Sequence, residues 1–416
     1  MLVGLVLAAL LAPDTDNNVI YQVLPLLLFL LVVAVGWSRS LSVRFAVTRL
    51  LPKLGTAGCP LDYRIVVKNL SSKALSGLTL LENLADPRPS FEEFMAWQRA
   101  EQKALRSFRF GDSQSAASFR LATVKEASVP PVAPAEEAEV RVELTPLRRG
   151  VLRFTGVTLA RPDPLGLVRA VATLPLPQSV LILPRRYPVP AIALPGTAKY
   201  QEGGVALASS VGQSDEYVAL RDYRHGDPLR HIHWRSWARV GRPVVKEFED
   251  EFFVRHALVL DTFTDHQNGE VFEEAVSVAA SFACTLPTQE SLLDLLFVGP
   301  QSYCFTAGRG VAHVEQMLEI LASVRACTDQ PFRALEHLVL NHVKAVSGCI
   351  CVLVGWDEPR RSFIEKLRAL GLPVRVLVIV QPGESKPLEP GPLRDEAERF
   401  SVLEIGQIEA GLARVN

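Results

Sequence analysis

The densest polar chemistry in the chain runs from Ser214 to Phe252. Six arginines (Arg221, Arg224, Arg230, Arg235, Arg239 and Arg242) and Lys246 are interleaved with His225, His231, His233, Trp234 and Trp237, and Glu247, Glu249, Asp250 and Glu251 follow. Charge segregated in this way supports three chemistries. Arginines paired with Asp222, Asp227 and the downstream acids would tie the two halves of the chain together through charge-assisted bonds, with Gly226-Asp227-Pro228 making the turn. Guanidiniums left unpaired would offer their planar forks to a carboxylate, a phosphate or a protein partner. His231 and His233 with Asp227 would suit a metal, although a His-x-His pair without a third ligand at recognised spacing is a weak signal for one. Asp261 and Asp357 form a second candidate group, because each follows a short apolar run that reads as a strand. In open α/β sheets ligands bind beyond the carboxyl ends of strands.

The elements that must position these residues fall into two patterns. From Val43 to about Pro184, short alternating runs such as Leu61–Val67, Val140–Leu144, Val151–Leu159 and Val180–Leu183 are punctuated by Pro and Gly, the pattern of an antiparallel β-sandwich of immunoglobulin-like type. Within it, Phe91, Phe94, Met95, Trp97 and Leu105 recur at helical spacing and predict a helical insert over 85–128. Beyond His256, strands at Ala257–Leu260, Leu292–Val298, Ser302–Phe305, Cys349–Gly355, Val374–Val380 and Val402–Ile405 alternate with helices at Glu270–Leu286, Val311–Ala326, Phe332–Val346 and around Arg360–Leu370. That alternation predicts an α/β domain with a mostly parallel sheet covered on both faces. The expected organisation is therefore α+β and multidomain: a hydrophobic segment over 1–38, the sandwich over 39–188, a linker and polar segment over 189–252, and the α/β domain over 253–416.

The amino terminus is oily. Val19 to Trp37 carries no charge in 19 residues, about 30 Å of helix, enough to cross a bilayer. Met1 to Ala12 is apolar but short, and there is no basic stretch of the kind that opens a signal peptide. Arg39, Arg44, Arg49 and Lys53 follow the long segment closely, whereas the link before it holds Asp14 and Asp16. The positive-inside rule then predicts one anchor or a hairpin in the cytoplasmic membrane, with the body of the chain facing the cytoplasm.

Composition narrows the function classes. Charged residues are 21% and hydrophobic ones 48% of 416, too apolar for a disordered chain. Lys and Arg total 44 against 45 acids, so no global positive field favours nucleic acid. Six scattered cysteines, Cys59, Cys284, Cys304, Cys327, Cys349 and Cys351, read as core thiols of a reducing compartment, the last two on one face of a strand. No phosphate-binding glycine loop, dinucleotide fingerprint or nucleophile elbow occurs, so no catalytic motif is recognised.

The polar segment resembles the signature of domain-of-unknown-function family 58. Leu220, Arg221, Tyr223, Gly226, Asp227, Arg230, Ile232, Trp234, Ala238 and Arg239 fill its fixed positions, and His233 lies among them. Arg149, Gly150, Asp163, Pro164, Gly166 and Leu167 are similar to a second family element that closes the β-domain. The resemblance implies an amino-terminal hydrophobic hairpin, a carboxyl-terminal von Willebrand factor A-like domain, and a membrane-anchored protein that works with a MoxR-type AAA+ ATPase. A von Willebrand A domain that holds a divalent ion such as Mg2+ uses Asp-x-Ser-x-Ser after its first strand. Here the loop reads Asp261-Thr262-Phe263-Thr264-Asp265, with its threonines one place out of step, and Asp357 and Thr306 are the distal candidates. The expected function is an adaptor presenting Arg221, Tyr223, Gly226, Asp227, Arg230, His233, Trp234 and Arg239 to the ATPase or to an unidentified client, without an intrinsic cofactor. The alternative is a divalent-metal-dependent hydrolase using Asp261, Asp265 and Asp357.

Overall fold

The structure, a computed structural model, describes residues 18–39, 44–86, 120–163, 166, 168–190, 217–227, 229–248, 254–264, 269–285, 291–307, 311–383 and 388–415. The chain is α+β with several sheets and divides into two compact units, Met1–Pro184 and Arg185–Asn416. Met1–Ala12 and Phe91–Leu105 lie outside the described residues.

The first unit opens with helix α1 (Asn18–Arg39), which carries Pro25 inside it. The expected membrane span is corrected here: among the described residues no helix is long and apolar enough to cross a membrane. The strands follow as β1 (Phe45–Leu50), β2 (Leu54–Thr56), β3 (Leu61–Asn69), β4 (Leu78–Leu84), β5 (Ala122–Val124), β6 (Ala127–Val129), β7 (Glu137–Pro146), β8 (Gly150–Pro162) and β9 (Arg169–Leu183). They form two sheets, β1-β3-β7-β5 and β2-β9-β8-β4-β6. Ala122–Val124 and Ala127–Val129, at the end of the expected helical insert, are strands instead and lie at the margins of the two sheets.

Strict alternation builds this core. Along β3 the side chains of Leu61, Tyr63, Ile65 and Val67 are buried, while Asp62, Arg64 and Lys68 face solvent, as a sheet wetted on one face requires. The buried row meets Leu152, Phe154, Val157 and Leu159 of β8 and Ile182 of β9 in one cluster, with Tyr63 edge-on to Phe154 at 6.0 Å. Each fully buried aliphatic or aromatic side chain contributes about 2 kcal/mol. Gly156 sits at a register shift between β8 and β9, where an added Cβ would come 2.5 Å from the Leu174 carbonyl oxygen.

Among the described residues of the sandwich interior, Arg49 and Glu82 form an ion pair. The Arg49 guanidinium donates to both oxygens of Glu82 at 3.0 and 2.6 Å, and neither side chain is exposed. Its remaining donors reach the carbonyls of Leu176 and Gly156 and the Gln178 side chain, Tyr63 donates to Glu82 at 2.9 Å, and the Phe154 ring lies 4.6 Å from the guanidinium carbon. Burial first, then the Glu82 charge, raise the Tyr63 phenol above its ordinary range.

The second unit begins with β10 (Tyr217–Asp222), a 3-10 turn at Leu229–His231, helix α2 (Trp234–Val240) and β11 (Val244–Phe248), the two strands pairing antiparallel. Then come β12 (Val254–Leu260), α3 (Glu270–Thr285), β13 (Ser291–Val298), β14 (Ser302–Ala307), α4 (Val311–Ser323), α5 (Arg333–His342), β15 (Gly348–Leu353), α6 (Glu358–Ala369), β16 (Val374–Val380), a 3-10 stretch at Gly391–Arg399, β17 (Phe400–Glu404) and α7 (Ile408–Leu412). The sheet order is β14-β13-β12-β15-β16-β17, parallel except for β14. Every residue of β15 and β16 is buried, which explains why both are apolar but for Arg375 of β16: a parallel sheet covered on both faces leaves no solvent side. Phe363, Ile364 and Leu367 of α6 and Leu335 and Val339 of α5 pack on one face, and α3 contacts β12, β15 and β16. Of the cysteines, Cys327, Cys349 and Cys351 are buried, with the last two sulfurs 3.5 Å apart, whereas Cys59 and Cys304 are exposed rather than core thiols.

Candidate functional site

The polar segment folds into a pinned hairpin. Asp222 pairs with Val244 across β10 and β11, and the Tyr223 amide continues the pairing to the Pro243 carbonyl at 3.0 Å. The chain then reverses through Gly226, whose φ of +108° is open to glycine at little cost. Asp227 closes the loop: its carboxylate accepts both arms of the Arg221 guanidinium at 2.7 and 2.8 Å and the Arg224 amide at 2.8 Å. Those hydrogen bonds, the Arg221 one foremost, hold its carboxyl at about 2. A carboxyl depressed in the folded state supports the fold above its unfolded value of about 3.9 and loses that support as pH falls toward the folded one. Acid titration of the wild-type chain is therefore expected to loosen this loop between about pH 4 and pH 2. In Asp227→Asn that transition should vanish from the Trp234 and Trp237 fluorescence, and its persistence would remove Asp227 as the cause.

Past the loop, buried Ile232 bridges to Val245, and the His233 amide donates to the Val244 carbonyl at 2.8 Å. His233 Nδ1 shares a 2.6 Å hydrogen bond with the Ser236 hydroxyl at the start of α2, and Gly241 at φ +74° ends the helix by donating to the Trp237 carbonyl. The helix so positioned buries none of its residues. Trp234 is 64% exposed and stacks on Trp237 at 5.2 Å, while Arg235 and Arg239 are exposed beside them. Among the described residues neither arginine has a carboxylate partner, and Arg242 meets Asp222 only as a solvent-exposed pair, a kind worth less than about 1 kcal/mol. Leu229 and Val240 are also more than half exposed. Arg230 lies in the 3-10 turn, and Tyr223 enters through its backbone.

At the carboxyl end of the main sheet, Asp261 and Asp357 share one arginine. The chain leaves β12 toward β13 on one side and leaves the neighbouring β15 toward β16 on the other, so the ends of β12 and β15 flank the switch point, the place where open α/β sheets form their crevice. Asp261 is wholly buried there and accepts the Phe263 amide at 3.0 Å, the Val354 amide at 3.2 Å and Arg360 Nε at 2.6 Å. Arg360 Nη1 reaches Asp357 at 2.7 Å and Nη2 the Phe263 carbonyl at 2.8 Å. Asp357 caps α6 by accepting the Arg360 amide. Burial pushes the Asp261 carboxyl up against the pull of Arg360, while Asp261 and then Asp357 more than offset the guanidinium's own burial and hold its proton.

Residues 219–393 match the family described as protein of unknown function DUF58. The matched stretch carries the Arg221–Asp227 loop, the tryptophan stack and the Asp261–Arg360–Asp357 group. The chain is also 29% identical over 184 residues to the uncharacterized protein YeaD of Bacillus subtilis, across 43% of this chain and 44% of that one, so the similarity spans less than half of its relative. Among solved structures, the CARDB domain of a Pyrococcus furiosus protein aligns at 15% identity over 34% of this chain and 89% of its own, with a TM-score of 0.19. A PapD-like domain of human CEP192 aligns at 9% identity over 33% of this chain and 84% of its own, also at 0.19.

Within the matched stretch, Asp265 lies outside the described residues. Thr306, the distal hydroxyl candidate, is elsewhere: it donates to buried Asp294 at 2.6 Å, and Arg255 pairs with the same carboxylate at 2.6 Å. Among the described residues no group of three or more His, Cys, Asp or Glu side chains is placed to hold a metal ion. For His231, His233 and Asp227 the physical reason is that both Asp227 oxygens already accept from Arg221. For Asp261 and Asp357 it is the guanidinium between them, so the set does not fit a divalent ion and hydrolysis there would require Arg360 to leave. Arg360, which joins the two carboxylates, is the member of this group that the sequence does not single out, and its one signal is Asp357 three positions earlier.

Proposed function

We propose that the chain is an adaptor that acts with a MoxR-type AAA+ ATPase in the assembly or maturation of client proteins, and that the pinned hairpin is its contact element. The observation that carries this reading is the exposed Trp234–Trp237 stack on a helix without a buried residue. A large aromatic surface held in one geometry costs energy in water unless something covers it, and tryptophan and arginine are the residues that dominate protein contacts. The free forks of Arg235 and Arg239 suit an acidic rim on the partner. The ATPase as partner is what the segment's resemblance to domain-of-unknown-function family 58 implies. We read the second unit as a von Willebrand A-type platform, supported by its central parallel strands and antiparallel β14.

Copurification of the full chain with a MoxR-type ATPase tests the proposal. Arg239→Glu is expected to weaken the complex about tenfold or more and to make the residual binding less sensitive to salt. Equal binding by Arg239→Glu would remove the cationic rim from the interface.

A further inference from the structure

The crevice at the end of β12 brings together three oxygens of the kind a hard cation takes: Asp261 Oδ2, Asp357 Oδ2 and the Phe263 carbonyl. All three accept from one guanidinium. We infer that Arg360 is the resident cation of this crevice, a substitute for a divalent ion built into the chain, so that the second unit forms and holds its strand-end loops without metal.

The inference stands on geometry and is independent of the adaptor proposal. Asp261 is wholly buried, and a buried carboxylate must be paired and hydrogen-bonded to persist. Two backbone amides and one guanidinium edge meet that need. The other edge of the same guanidinium ties Asp357 to the loop after β12 through Phe263, so the fork fastens the loop after β12 to the loop after β15, as a shared ion would. The Phe332 ring lies 5.1 Å from the guanidinium carbon and closes one side against water. Sequence makes the device compact: Asp357-Glu358-Pro359-Arg360 places the cation in the first turn of the helix that Asp357 caps, so cap and cation arrive together. An ion exchanges with solvent, whereas a side chain does not, so the state of these loops is set by the chain and not by the concentration of free ion.

Thermal unfolding of the full chain in EDTA, in magnesium chloride and in manganese chloride tests this. The wild type should melt at one temperature in all three. Arg360→Ala should melt lower in EDTA and recover with either ion as it fills the vacated oxygens, by about 5 °C once the ion stands at about a hundred times its Kd. The double variant Asp261→Asn/Arg360→Met, which removes both charges, should fold and ignore the ions. A wild-type melting temperature that rises with either ion would overturn the inference. So would an Arg360→Ala chain that shows no response to manganese, whether it is folded or remains unfolded throughout.

Discussion

Arg49→Met is expected to destabilise the first unit by about 3–5 kcal/mol, because it leaves the Glu82 carboxylate buried without a cation. The same cost is expected for Glu82→Ala, which strands the guanidinium among the Leu176 and Gly156 carbonyls. Denaturant unfolding should show the midpoint falling with little change in slope. Arg49→Met combined with Glu82→Leu should recover much of the loss, since apolar groups of similar volume often replace a buried pair without penalty. If the double variant were as unstable as the sum of the singles, the pair would not be acting as a unit. The contrast is with Arg141–Asp62 and Lys68–Glu137, whose side chains are about half exposed or more. Removing either is expected to leave the unfolding midpoint almost unchanged.

Trp234→Ala is expected to weaken partner binding about 30-fold or more, the effect of losing an interface anchor worth at least about 2 kcal/mol. The melting temperature should not move with it, because Trp234 is 64% exposed and α2 buries none of its residues. Phe363→Ala is the control of opposite kind. Its ring is fully buried against β15 and β16, so it should destabilise the second unit by about 3–5 kcal/mol through loss of packing rather than loss of a contact surface. Trp234→Ala binding as tightly as wild type, or a Trp234→Ala chain that melts early, would each separate the stack from the role assigned to it.

What the sequence made legible follows from how local each cause is. The apolar runs ending at Asp261 and before Asp357 mark strands because β12 and β15 are covered on both faces, and the alternation along Leu61–Val67 marks β3 because only one face is. Where structure depends on distant partners, the sequence was silent or misleading. Arg49 reads as one of the cations flanking an oily segment, yet it is the buried centre of the sandwich, paired with a residue 33 positions away. Arg360 reads only as the start of a helix, and folding brings it to Asp261, 99 positions away. The three-residue strands β5 and β6 are too short for a period to show, and the helical pattern upstream was extended over them. Within the polar segment, pairing of the arginines with Asp222, Asp227 and the downstream acids was legible as one reading because the charges are close in sequence, but not that Arg221 takes Asp227, and the stacking of Trp234 on Trp237 required knowing that a helix begins at Trp234.

The account turns on the hairpin being a surface for another protein, and the affinity of the purified full chain for a MoxR-type AAA+ ATPase, measured beside Trp234→Ala, tests it most directly. A saturable complex with the wild type that is lost or much weakened in a folded Trp234→Ala chain is the expected result. No complex with the wild type, with or without ATP, would contradict it.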